Sequence, residues 1–264
     1  MSSQEFFATH PVFIHEEFAR SRHSGSPRTV DSLLRKHAAQ GRILRIRRGL
    51  YAVVPPGAKG DAVEIDPYLV ATKAADDATV SHHAALQFHG RIYSVWNRVT
   101  FFSHRSIRPF RFGATEFAPV RLPSPVADHP DMGGGIECVS HGGGEVRVTT
   151  CERAMVDVLH SPELGGGWEE IWRSLEMVEF FDLDAVISYT LALNTAVTVA
   201  RVGFFLEQHR EALFVEERHL EMLEAHRPSQ NRYLDRSREP GKLASRWRLI
   251  VPERVLGRHW EEIA

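Results

Sequence analysis

Between Ser26 and Pro55 the spacing of apolar residues switches from helical to strand-like at one glycine, Gly41. Upstream of it, Val30, Leu33, Leu34 and Ala38 recur at the 3.6-residue period and predict the buried stripe of a helix. Ser26 offers a side-chain oxygen as its cap, and Pro27 takes the first helical position, where a missing N–H costs nothing. Downstream, GRILRIRRGLYAV alternates: Ile43, Arg45 and Arg47 fall on one face of a strand, Leu44 and Ile46 on the other. Gly49 then lets the chain reverse into Leu50–Val54. So abrupt a change of period leaves one reading, a capped helix followed at once by a β-hairpin with an arginine-rich tip.

Two shorter helices, Ser3 to Ala8 and His15 to about Arg22, are expected before it, separated by an extended stretch at Pro11–Ile14. Helix, helix, capped helix and basic hairpin is the order of a winged helix-turn-helix domain, assigned to residues 1–55. The breaker-rich PPGAKGD reads as a linker, residues 56–65. Residues 66–264 then read as a larger mixed α+β domain. Strands are expected at 97–103, 116–122, 135–140 and 145–150, forming an antiparallel sheet, and helices at 151–161, 168–178, 183–193, 197–208 and 216–226. Strands bunched ahead of helices place the whole chain in the α+β class.

The formal net charge of −2 conceals a division: the segment through Pro55 carries +5 and the remainder −7. A basic head on an acidic body is expected where one end meets a polyanion. In a winged helix the third helix enters the major groove while the hairpin follows the backbone. Arg28, Thr29, Ser32, Arg35 and Lys36 are therefore expected to face DNA from the helix, and Arg45, Arg47 and Arg48 to contact phosphates from the hairpin. The partner is double-stranded operator DNA, and a twofold operator would be matched by a homodimer.

Other chemistries find no purchase in the residue pattern. Fifteen histidines include His82, His83 and His89 on one expected helix, yet no HExxH spacing appears, and His82 and His83 read as partly exposed residues behind a Ser81 cap. A metal nuclease of the E-x-K type would need a lysine where Glu145-Val146-Arg147 has arginine. No GxxxxGK[ST] loop and no G-x-S-x-G elbow is present. Cys138 and Cys151, the only cysteines, read as reduced and structural. Arg153 and Asp157, four apart on a helix, read as an ion pair, with a binding surface that also includes Glu152 as the alternative. The expectation is a non-enzymatic protein with no metal, cofactor or membrane segment. The start MSSQEFFATH lacks the pattern of a secretory signal and points to the cytoplasm.

Several segments taken in order resemble one family: the hairpin GRILRIRRGLYAV, the run DPYLVATKAADDATVSHHAALQFHG, then TTCERAMVDVLHSPELGGG, ARVGFFLE and RWRLIVP. The set is similar to the AbiEi-type antitoxins of type IV toxin–antitoxin and abortive-infection systems. It departs from their pattern at Glu152-Arg153-Ala154, where many relatives carry a threonine third, and at SHHAAL, where a serine often precedes the alanine. The resemblance implies a winged-helix repressor of its own operon whose C-terminal domain counters a nucleotidyltransferase-like toxin. The alternatives are a plain repressor without a toxin partner, or a protein-interaction adaptor built on a winged-helix scaffold.

Overall fold

Three phenylalanines organise the first fifty residues. Phe6, Phe13 and Phe18, each 1% exposed or less, meet edge-on or tilted at ring separations of 5.2–5.9 Å. Each buried ring stabilises the fold by roughly 1.5–3 kcal/mol through lost apolar surface. The computed structural model describes residues 2–22, 26–55, 57–58, 63–127, 134–258 and 260. Helix α1 (Ser3–Thr9) starts in a capping box in which Ser2 and Glu5 satisfy each other's backbone N–H. Strand β1 (Val12–Ile14) leads into α2 (His15–Ser21), and Ser26 caps α3 (Pro27–Ala39) by accepting from Thr29 N. Then come β2 (Ile43–Arg47) and β3 (Leu50–Val53), which with β1 form an antiparallel sheet ordered β1-β3-β2.

Two details differ from the sequence reading. The buried stripe of α3 is Val30, Leu34 and His37, with Leu33 half-buried and Ala38 exposed. On a helix of 3.6 residues per turn His37 falls nearer the centre of the face set by Val30 and Leu34 than Ala38 does, and it packs edge-on against Phe7 at 5.0 Å. In β2 the alternation breaks: Arg45 pairs with Tyr51 but Arg47 with Leu50, a bulge at Ile46, which is buried.

The chain divides into two compact units. Unit 1 holds residues 1–80, 97–120 and 138–148; unit 2 holds 81–96, 121–137 and 149–264. These are not the segments on either side of the expected linker, of which residues 56 and 59–62 lie outside the described residues. Besides the N-terminal elements, unit 1 contains α4 (Pro67–Thr72) and most of a six-stranded sheet. The strands are β4 (Thr79–Val80), β5 (Arg98–Phe102), β6 (Phe110–Phe112), β7 (Thr115–Val120), β8 (Ile136–His141) and β9 (Gly144–Thr149), ordered β6-β7-β5-β4-β9-β8. The sheet is mixed rather than antiparallel. β5 pairs with β7 and β4 with β9 in parallel, whereas β4–β5 and β6–β7 are antiparallel. The short β6 reverses the chain before β7, so β7 returns in the direction of β5.

Unit 2 is mainly helical: α5 (His82–Phe88), α6 (Ser124–Ala127), α7 (Cys151–His160), α8 (Trp168–Leu175), α9 (Leu183–Ala192), α10 (Ala196–Gln208) and α11 (Glu217–Glu224). A small sheet ordered β10-β12-β11 (Arg232–Tyr233, Leu249–Pro252, Gly241–Ala244) and α12 (Glu253–Leu256) complete it. Trp172, Phe205 and Trp247 are fully buried there. Gly203 lets α10 approach Trp247: an added Cβ would lie 2.2 Å from its ring. The protein is thus of mixed α+β class. Among the described residues no helix is long and apolar enough to cross a membrane.

Candidate nucleic-acid interface

Because Val30, Leu34 and His37 turn α3 inward, Arg28, Thr29, Ser32, Arg35 and Lys36 are left on its exposed face. Arg45 and Arg48 are exposed on the hairpin. Between helix and hairpin lies a cleft of about 720 Å³ whose walls include Arg35, Arg45 and Arg48, with Leu34 and Tyr51 among its apolar lining. No carboxylate lies within 4.0 Å of the cationic groups of Arg28, Arg35, Lys36, Arg45 or Arg48 among the described residues. Arg35 Nε donates to Asp31 O at 3.3 Å, and its terminal nitrogens have no partner among the described residues.

Asp31 is the one acid lining the cleft among the described residues, and His15 holds it: Nε2 lies 2.8 Å from Oδ1. His15 N also donates to Gly49 O at 2.8 Å, so this residue ties α2 to both α3 and the hairpin turn. Gly49 takes φ +80°, the left-handed conformation that glycine adopts without strain. A side-chain link from α2 and a backbone turn therefore fix the spacing between the two basic elements. The field of the cluster is felt at His37, whose pKa is lowered first by burial and then by the charges of Arg42, Arg22 and Lys36.

Arg47 does not belong to this set. The bulge turns it to the rest of unit 1, where Nη2 donates to Ala74 O at 3.1 Å and the guanidinium sits over the Phe110 ring at 5.0 Å. Burial lowers its pKa. The expected phosphate contact of Arg47 is corrected to an intramolecular anchor. Of the eight residues the sequence selects, seven are exposed and three of them, Arg35, Arg45 and Arg48, line the cleft; the Thr29 hydroxyl also meets Ser26 Oγ at 3.0 Å.

The contact at Phe110 reveals a basic segment that sequence reasoning passed over. His104, Arg105, Arg108 and Arg111 are exposed beside β6, in the same compact unit as α3. Arg105 meets Asp76 at 2.6 Å and Arg111 meets Glu116 at 3.0 Å, while Arg108 has no carboxylate within 4.0 Å among the described residues. Grouped by compact unit, the formal charges are +5 for unit 1 and −7 for unit 2. The signal available in the sequence was the acid-free run SHRSIRPFRFG.

The other constellations resolve differently. His82 and His83 are each 2% exposed rather than partly exposed, and no Ser81 side-chain cap forms. His83 meets Glu170 at 3.0 Å and stacks on Trp96 at 4.3 Å; burial lowers its pKa, against the pull of Glu170. No group of three or more metal-ligating side chains occurs among the described residues. Glu145 and Arg147 line a smaller cleft of unit 1, about 380 Å³, together with Lys73, whose ammonium is bound to Glu17. Arg153 and Asp157 form the expected i,i+4 pair, but it is buried, 1% and 2% exposed and 3.9 Å apart, with the Tyr189 hydroxyl donating to Asp157 at 2.8 Å. Burial pushes the Asp157 carboxyl up to about 7, against the opposing pull of Arg153 and Tyr189. No family model matches the chain, and no curated protein matches it.

Proposed function

We propose that the protein is a DNA-binding transcriptional regulator whose residues 1–55 act as a winged helix. In this reading α3 enters the major groove and the β2–β3 hairpin follows the adjacent backbone. The element order and the β1-β3-β2 sheet support the reading. The observation that carries it is the set of five exposed cations on α3 and the hairpin that have no carboxylate within 4.0 Å among the described residues, three of which line one cleft. Several cations gathered on one small domain without a neighbouring counter-charge create a positive potential that attracts an external polyanion. Arg35 reads a base edge and Arg45 and Arg48 hold phosphates, with Arg28 and Lys36 at the flanks. The repetitive negative charge of a duplex, rather than one small anion, matches cations spread along both elements.

The resemblance to AbiEi-type antitoxins extends the proposal: the protein represses its own operon as a dimer and counters a nucleotidyltransferase-like toxin encoded beside it. Electrophoretic retardation of the DNA upstream of its own gene, with random DNA as competitor, tests the regulator. Five neutralised phosphates give a slope of log K against log salt of roughly −4 to −5. Arg35→Ala should weaken operator binding while sparing random DNA; Arg48→Ala should weaken both and flatten the slope by about 1. Unchanged binding in both variants removes the assignment. Growth rescue on co-expression with the neighbouring gene tests the antitoxin role separately.

A further inference from the structure

The cleft between α3 and the hairpin holds one titratable pair with no part yet in DNA binding. His15, the first residue of α2, and Asp31 of α3 both line it, with Nε2 and Oδ1 2.8 Å apart. Their side chains are 33% and 57% exposed, so solvent and a ligand can reach both. A carboxylate only accepts, so this bond places a hydrogen on Nε2. Nδ1 is then the free ring nitrogen, with no partner among the described residues. In the neutral imidazole it carries a lone pair, and in the protonated one it is a second N–H donor.

The charges around His15 are few and each is placed. From α3, Arg35 shares the cleft with it, and from the hairpin Arg45, Arg48 and Tyr51 do. On α2 itself, Glu16 pairs with Arg20 at 3.4 Å, and Glu17 accepts from Ile14 N at 2.9 Å and holds the ammonium of Lys73, just after α4. Asp31 is the only carboxylate within 4.0 Å of the imidazole among the described residues. A phosphate seated on Arg35, Arg45 and Arg48 therefore meets this pair. With His15 neutral, the pair shows it a carboxylate and a lone pair, both repulsive. With His15 protonated, the pair has no net charge and Nδ1 can donate to a phosphate oxygen.

We propose that His15 is a further DNA-contacting residue, which takes up one proton from solvent as the duplex binds and donates from Nδ1 to a backbone phosphate while Nε2 stays on Asp31. The inference rests on the DNA-binding reading and adds a regulation to it. Because the bound state holds the proton more tightly than the free one, affinity rises as pH falls through the range in which an imidazole gains its charge.

The test is binding of the full chain to the DNA upstream of its own gene, followed by fluorescence anisotropy at constant ionic strength from about pH 8.5 to about pH 6. His15→Gln keeps an N–H for Asp31 but cannot titrate. On acidification the wild type should tighten about tenfold and His15→Gln no more than about twofold, the other histidines contributing alike to both. Asp31→Asn should bind severalfold tighter than wild type at the upper pH, since it removes the charge that repels the backbone. Equal pH dependence in the wild type and His15→Gln overturns the inference, as does an Asp31→Asn variant that binds no tighter than wild type. If binding is nonetheless weakened by Arg35→Ala and Arg48→Ala, the regulator reading survives that loss, whereas no wild-type binding at any pH removes both.

Discussion

Arginine does opposite work in the two units. Arg28, Arg35, Arg45 and Arg48 of unit 1 stand in water with no carboxylate within 4.0 Å among the described residues, whereas in unit 2 Arg246 is netted by acids and Arg153 is buried. Arg246 meets Glu207, Glu217 and Glu224, and Arg153 lies against Asp157 beneath Tyr189. A solvated arginine left unpaired contributes little to the fold and is free for a partner; a buried one is part of the fold. Counting charges cannot separate the two, but exposure and partners can. The largest expected effect follows directly. Arg153→Met should cost about 3–5 kcal/mol, since it strands a buried carboxyl. Arg48→Met should leave the urea midpoint nearly unchanged. Equal losses in the two variants would erase the contrast.

Asp157 sharpens the same comparison through pH. Its folded pKa, about 7, lies above the 3.8 of an ordinary aspartate, so the folded state holds the proton more tightly than the unfolded one. The stability this contributes is complete below about 3.8 and is lost as pH rises through about 7. Asp157→Asn keeps an acceptor for Tyr189 and removes the titration. Its stability relative to wild type should rise between those limits, by at most about 1.4 kcal/mol per pH unit, and then level off. Chemical unfolding at a series of pH values reads this, and a flat difference would mean the carboxyl stays ionised in the folded protein.

What was legible in the sequence was local. The Ser26 cap, the Val30 and Leu34 stripe, the glycine stops and the reversal at Gly49 are each set by neighbours a few residues away, and each appears where the pattern puts it. The long helices of unit 2 were readable for the same reason. What depended on distant partners was not. β4 has two residues, too few to show a period, and its pairing with β9 is decided by a segment far along the chain. His83 is buried because Glu170 and Trp96 meet it, and nothing in SHHAAL announces either. Arg47 looked equivalent to Arg45 because strict alternation was assumed; the bulge at Ile46 and the ring of Phe110 made it otherwise.

That misassigned arginine gives a smaller test on the unit 1 side. Arg47→Ala removes one hydrogen bond to Ala74 O and one cation–π contact with Phe110, together about 1–2 kcal/mol. Stability should fall by that amount while the salt dependence of DNA binding stays as in the wild type. A flattened salt slope would return Arg47 to the phosphate-contacting set.

The smallest effect belongs to the cap that starts α3. Ser26 Oγ accepts from Thr29 N at 3.3 Å and meets the Thr29 hydroxyl at 3.0 Å, so it fixes the first turn from which Arg28 and Thr29 project. Ser26→Ala should cost about 1 kcal/mol of stability, the usual loss for an N-cap. Its effect on DNA binding should be modest and should fall on Arg28 and Thr29, because Arg35 and Lys36 lie two turns further on, where the hydrophobic stripe holds the helix in place. Combining Ser26→Ala with Arg28→Ala checks this. If the cap acts through the first turn, the double variant binds operator scarcely more weakly than Arg28→Ala alone, whereas independent, additive losses would mean that the cap steadies the whole of α3.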